Sequence, residues 1–475
     1  MGPDFERPAP PAATRYTAAP LPERTESAPV AAGAAQRFVA GADIPAEWWH
    51  LYRSPALDRL IRAGLEHSPT LEAAQAALRV AQENLTAATS VLYPSVDAKL
   101  AATRQRTSGA SFGQPQVPGN VFDLYNASVG VSYALDVAGG ARRELEALEA
   151  QIDYQRFQIA AATLSLTSNI VTAAVSEASL RAQIAATRDI VGVEQSSLAV
   201  VEKQLALGAV SSAEVLAQRA QLAQTRATLP PLEKALAQTR NALATLVGET
   251  PASAELPELD LAALELPQDL PVSLPSALVR QRPDIQAAEA LLREASAQIG
   301  VATAALYPQV TLSASYGSLA TTTGSLFGAN STVWSLGAGL LQPLFHGGEL
   351  EAKKRAAVAA YDQALAQYRQ TVLGAFQSVA DVLRALESDA QALREQAEAA
   401  EAARASLELA RHQFQLGAVS YLVLLNAERQ YQQARVGLVQ AQAARYADTA
   451  ALFQALGGGW WHAQAGAAAA PAEPR

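Results

Sequence analysis

The chain has 475 residues, enough for two or three ordinary domains, with 50% hydrophobic but only 6% aromatic residues, much of the apolar share being alanine. That mixture favours helices packed at close range over one thick core, and a net charge of −9 argues against a nucleic-acid partner. The absence of cysteine excludes disulfides, thiolate metal sites and cysteine catalysis, and the five histidines (His50, His67, His346, His412, His462) show no pair at ligand spacing.

Residues 1–45, rich in Pro, Ala, Thr and Glu, read as an extended arm along the surface. The opening Met1-Gly2-Pro3-Asp4-Phe5 looks like a mature N-terminus with an initiator added or an upstream segment removed; no signal peptide is visible. Glu47-Trp48-Trp49 to Leu60 begins the folded part, the two tryptophans serving as core anchors rather than ligand-stacking rings. Together these form a first segment, 1–67.

Pro69 to Val91 reads as helix, ended by Tyr93-Pro94. Two alternating runs follow, separated by a Ser/Gly/Gln/Pro loop over Thr107–Asn120. Val96, Ala98, Leu100 and Ala102 share one face of the first. Tyr125, Ala127, Val129, Val131, Tyr133 and Leu135 share one face of the second. Period-two alternation over both runs predicts a hairpin. Next, about Ala141 to Leu207 lies inside a proline-free span (Pro118 to Pro230) and reads as one helix, roughly 100 Å long at 1.5 Å per residue. Leu207-Gly208-Ala209-Val210-Ser211 ends it. Gly208 suits the left-handed turn position, Ser211 caps the return helix (about Ser212–Leu246), and Ser211 with Glu214 spells a capping box.

After a Pro/Leu/Glu-rich linker (249–281) the pattern repeats. Ser68–Val96 aligns without gaps on Arg282–Val310, matching Pro69 to Pro283, Arg79 to Arg293 and Leu92-Tyr93-Pro94 to Leu306-Tyr307-Pro308. The second hairpin alternates as Val310, Leu312, Ala314, Tyr316 and as Trp334, Leu336, Ala338, Leu340. A second long helix (about Glu349–Leu416) carries a heptad seam through Tyr368, Val372, Val379, Leu383, Leu386 and Leu393. Leu416-Gly417-Ala418-Val419-Ser420 repeats the first tip letter for letter before a return helix to about Leu456. The repeats span 68–248 and 282–457; 458–475 is a Gly/Ala/Pro tail expected to be disordered.

Between Glu294 and Glu349 there is no Asp, Glu, Lys or Arg. A water-facing hairpin normally carries charge against edge-to-edge sticking, so an uncharged, alternating one suits a membrane barrel better than a sandwich. Four strands cannot close, and an open edge is not tolerated in lipid, so several chains must share one barrel. No run of about 20 strongly apolar residues marks a spanning helix. The predicted fold class is α+β with internal duplication: a long coiled-coil helical barrel plus a four-strand share of an oligomeric transmembrane β-barrel.

Several blocks together resemble the outer-membrane efflux proteins, in the OprM/NodT-like lipoprotein branch related to TolC. They are Leu278-Val279-Arg280-Gln281-Arg282-Pro283-Asp284-Ile285, Ile299-Gly300-Val301-Ala302, Leu306-Tyr307-Pro308, Pro343-Leu344-Phe345-His346-Gly347-Gly348 and the two tips. The resemblance covers nearly the whole chain. It implies a homotrimer with a twelve-strand barrel in outer-membrane lipid and a helical tunnel through the periplasm. It further implies a periplasmic adaptor (membrane fusion) protein and an inner-membrane transporter of the resistance-nodulation-division type. No cofactor is implied beyond an N-terminal lipid anchor on a cysteine that this chain lacks. The family's gate pattern reads here Tyr421-Leu422-Val423-Leu424-Leu425-Asn426-Ala427-Glu428-Arg429, which assigns Leu422, Asn426 and Arg429 to the periplasmic gate, with Asn426 in place of the usual aspartate. Both tips (Gly208, Ala209, Val210, Ser211 and Gly417, Ala418, Val419, Ser420) become adaptor contacts, argued from valines expected to be exposed there.

The expected function is a passive exit duct for drugs or other small toxic compounds in a tripartite efflux pump. A type I secretion duct and a soluble coiled-coil scaffold are the alternatives. No nucleophile–base pair, phosphate loop or metal cluster suggests an enzyme. A single Met in the chain disfavours copper or silver cargo.

Overall fold

A computed structural model of the chain describes residues 1–108, 110, 113, 116 and 118–462. Most of the predicted tail, 463–475, and part of the loop before Asn120 lie outside the described residues. In chain order the N-terminal segment contributes β1 (Arg37–Ala40) and α1 (Pro55–His67), and the first repeat runs α2 (Pro69–Thr89), β2 (Ser95–Thr107), β3 (Asn120–Leu135), α3 (Gly140–Ala206), α4 (Ser212–Ala227) and α5 (Leu229–Leu246). The remainder runs β4 (Asp269–Val272), α6 (Pro275–Gln281), α7 (Pro283–Ala304), β5 (Gln309–Ala320), β6 (Thr332–Leu341), α8 (Glu349–Gln415) and α9 (Tyr421–Ala455). Two compact units form, each drawing on both repeats. The first comprises Met1–Pro8, Ala76–Arg156 and Ala287–Arg369; the second comprises Ala9–Gln75, Phe157–Gln286 and Gln370–Arg475.

In the first unit both hairpins form and pair with each other, giving an antiparallel sheet in the order β2-β3-β5-β6. The register places Ala98 beside Val129, Val129 beside Tyr316 and Tyr316 beside Trp334, one row across all four strands. A parallel row runs Val96, Val131, Ala314, Leu336. Residues that alternate in the sequence thus share one apolar face, since the side-chain period of a strand is two. None of the described residues covers it: Leu100 and Leu336 are each 80% exposed and Trp334 75%. On the opposite face the hydroxyls of Ser315 and Ser335 meet at 2.8 Å. Gly317 is required there, because a Cβ would come within 2.5 Å of the Ala127 carbonyl and the Ser128 side chain. β2 and β6 are edges, each with a single neighbour.

Residues 1–8 belong to this same unit. The Arg7 guanidinium donates to Glu289 at 2.6 Å, and Arg143 donates to Asp4 at 2.6 Å and to Glu146 at 2.7 Å. The Met1 amino group donates to the carbonyl of Ala138, just past the end of β3, at 3.2 Å.

The core of the second unit is aromatic where the sequence predicted anchors. Trp48, 1% exposed, stacks on Phe453 at 5.1 Å, and the Tyr52 hydroxyl donates to the Tyr446 carbonyl at 2.8 Å. The arm is more firmly held than its composition suggested. β1 pairs with β4 in parallel, and Gln36 is fully buried. The buried Arg445 donates to the carbonyls of Ala32 and Ala34 and to Gln36 Oε1. The linker is also ordered, burying Leu259, Leu261, Leu264, Leu270 and Leu278.

α3 and α8 contain 67 residues each, within a residue of the predicted ends. Tyr368, Val372, Val379, Leu383, Leu386 and Leu393 of the α8 seam are all buried. One expectation needs correction. The first return helix is broken at Thr228 into α4 and α5, because Pro230 lacks an N–H and its ring would clash with the preceding turn. α3 is also apolar enough over part of its length to cross a membrane by length and composition alone. Ile170, Val171, Ala174 and Val175 of this helix are buried among neighbouring side chains.

Candidate functional site

The two tips have the same backbone. Gly208 and Gly417 sit at φ +74° and +72°, a left-handed conformation open to glycine without strain. The N–H of Ala209 closes on the Gln204 carbonyl and that of Ala418 on the Gln413 carbonyl, both at 2.8 Å. These bonds satisfy carbonyls that a helix end would leave orphaned. At the first tip the Glu214 carboxylate accepts from the Ser211 N–H at 2.8 Å, the carboxylate half of the predicted capping box. The Ser420 side chain makes no cap hydrogen bond. Ala209, Ser211, Ala418 and Ser420 are exposed.

The valines do not behave as expected. Val210 and Val419 are half-buried, and Val210 packs on a core of Val201, Val215, Leu407, Tyr421 and Leu424. The uncovered apolar residues are Leu207 and Leu416 instead, at 83% and 80% exposure. Each is the residue before the turn glycine, where the helix no longer offers a neighbouring turn to shield it.

Leu422, Asn426 and Arg429 lie on α9, and their spacing of four and three puts them on one stripe. All three are exposed, while Tyr421, Leu424, Leu425, Ala427 and Glu428 between them are buried. The structure therefore brings the predicted gate residues onto a single free face. Arg429 is also tethered: its Nε donates to Gln221 Oε1 on α4. Gln221 Nε2 in turn donates to Glu194 Oε1 on α3 at 3.1 Å, and the Thr225 hydroxyl donates to the same oxygen at 3.0 Å. Arg429 and Gln221 line a groove of about 860 Å³ with Gln183, Thr187, Gln432 and Gln440.

Beneath this stripe is a polar layer the sequence reading missed. Glu194 is 1% and Glu428 4% exposed, and the second Glu194 oxygen has no hydrogen-bond partner. Burial raises the pKa of Glu194, against the stabilising bonds from Gln221 and Thr225 and the charge of Arg429. Glu428 is pushed up to about 7, first by burial and further by Glu194, with Arg411 opposing at 3.9 Å. A signal existed: Glu194 and Val201 are seven apart, as are Gln218 and Thr225, so polar residues occupy core-facing positions of otherwise apolar stripes.

The profile of the family described as "Outer membrane efflux protein" matches residues 60–249 and 274–458. Over 421 residues the chain is 33% identical to the pyoverdine export outer membrane protein OpmQ of Pseudomonas aeruginosa, covering 87% of each chain. Among solved structures, the outer-membrane channel OprN superposes with a TM-score of 0.86 at 27% identity, over 97% of this chain and 99% of that one. The open state of the Neisseria gonorrhoeae MtrE channel gives 0.82 at 28% identity, over 97% and 98%.

Proposed function

The chain belongs to the outer membrane efflux protein family and is an outer-membrane efflux channel, and we propose that it serves as the exit duct of a tripartite pump for small molecules. The observation that carries this reading is the four-stranded sheet with an uncovered apolar face and two unpaired edges. Lipid covers such a face, and only further copies of the same sheet can close its edges. Three copies give twelve strands, within the range of membrane barrels. A soluble scaffold would leave Leu100, Trp334 and Leu336 in water.

The partners in this reading are a periplasmic adaptor seated on the two tips and an inner-membrane transporter of the resistance-nodulation-division type. Exposed Leu207 and Leu416, on tips of identical backbone, support two equivalent adaptor contacts per chain. Leu422, Asn426 and Arg429 form the gate: three chains present three stripes to a common axis, with leucine as an apolar constriction and arginine as a positive ring. With Asn426 the ring of the usual aspartate becomes a ring of neutral amides, so arginine dominates the local field. The pyoverdine-export relative supports a small-molecule cargo.

The test is the mass of the detergent-solubilised protein together with conductance in planar bilayers. Three copies per particle and discrete channel steps are expected; a detergent-indifferent single chain without pore activity rejects the reading.

A further inference from the structure

The tether on Arg429 has a directional chemistry. A carboxylate only accepts hydrogen bonds and a guanidinium only donates, so an amide between them has one competent orientation. Ionised Glu194, 1% exposed, draws the NH₂ of Gln221, and this turns the opposite side of the planar amide, its carbonyl oxygen, to the Arg429 guanidinium. Thr225 closes on the same Glu194 oxygen and also accepts from Gln221 Nε2 at 3.2 Å, which holds the amide from a second side. The three residues come from α3, α4 and α9, so the bridge links a long helix, through the first return helix, to the stripe of Leu422 and Asn426.

We propose that Glu194 and Gln221 are positioning residues for the gate arginine, the buried carboxylate setting the Gln221 amide so that its oxygen holds Arg429 against α4. The proposal rests on the reading of Arg429 as a gate residue. It adds a proton dependence. Protonated Glu194 becomes a donor and satisfies itself on the Gln221 carbonyl; the amide then offers its NH₂ to Arg429, a donor facing a donor, and the tether opens. The other groups facing Glu194 are Glu428 and Tyr421 on α9, and Gln218 on α4, whose amide donates to the Glu194 backbone carbonyl at 3.1 Å. Ser197 of α3 and Arg411 of α8 lie against Glu428. Burial favours the protonated form of Glu194, while the hydrogen bonds from Gln221 and Thr225 and the charge of Arg429 oppose it, so release comes as pH falls.

Single-channel conductance of bilayer-inserted protein, read between pH 5 and 8, tests this. Gln221→Met, similar in volume without the amide, is expected to raise conductance to the level of Arg429→Ala, and the two together to add nothing further. Gln221→Asn, too short to bridge, should do the same if the Met variant assembles poorly. The exchange Glu194→Gln with Gln221→Glu restores an acceptor for Arg429 and should return conductance to the parent value. The acid-side rise should vanish in Glu194→Gln and survive in Glu428→Gln. An equal increase from Gln221→Met in the Arg429→Ala background would reveal simple loosening of the bundle and overturn the proposal, as would loss of the acid-side rise in Glu428→Gln alone. An unchanged Arg429→Ala channel would sink the gate assignment itself, a separate failure read from a separate variant.

Discussion

In the proposed gate, single side chains carry the closure. Leu422 is 61% exposed although it is a large apolar residue on a helix whose other face is well buried. Three copies meeting at an axis would remove that surface from water, stabilising closure by about 1–2 kcal/mol per leucine. Leu422→Ala combined with Arg429→Ala is therefore expected to raise single-channel conductance without loss of assembled trimer on a gel, and unchanged conductance would remove both from the gate. A second residue-level prediction concerns Asp389. Burial, and after it the Asp448 carboxyl beside it, push its pKa up to about 7 against the charge of Arg445. Because the folded-state value lies above the ordinary aspartate value, the folded protein binds more protons between about pH 4 and 7. Stability should then fall as pH rises through 7. Asp389→Asn is expected to raise Tm at pH 8, by an amount corresponding to about 1–3 kcal/mol, and to flatten the dependence seen in thermal melts; a lower Tm at pH 8 would refute the account. Both residues are plain in the sequence, but the proximity of Asp389 to Asp448 is not.

At the level of elements, local chemistry sets most boundaries. The two 67-residue helices start and stop within a residue of the ends read from the sequence, each closing two residues before its turn glycine. The first return helix is the exception: it stops twice, at a Pro230-Pro231 pair that the reading of one continuous helix passed over. The tips show where a local reading misleads. Gly208 and Gly417 have the conformation their position demands, yet Val210 turns inward and Leu207 outward, because the core formed with α8 and α9 captures the valine. Crosslinking of an adaptor is accordingly expected to be stronger for Leu207→Cys and Leu416→Cys than for cysteines at Val210 or Val419. The reverse order in a cysteine-trapping experiment would return the contact to the valines.

For the whole molecule, the duplication was legible from Ser68–Val96 against Arg282–Val310, and the alternation of four strands was legible because a strand's period is local. So was the need for more than one chain, since four strands with apolar outward faces cannot end in lipid. The pairing of β3 with β5 was not legible: nothing in either strand names its partner, and only the folded chain sets Val129 beside Tyr316. The same holds for the arm pinned by Arg445 and for the Glu194–Gln221–Arg429 bridge, whose members lie far apart in sequence. By itself the sequence determined helix, strand, turn and repeat, because those depend on neighbours a few residues away. Tertiary structure alone decided which polar groups share a buried layer and which apolar tips stay uncovered, because burial is a property of contacts between distant segments.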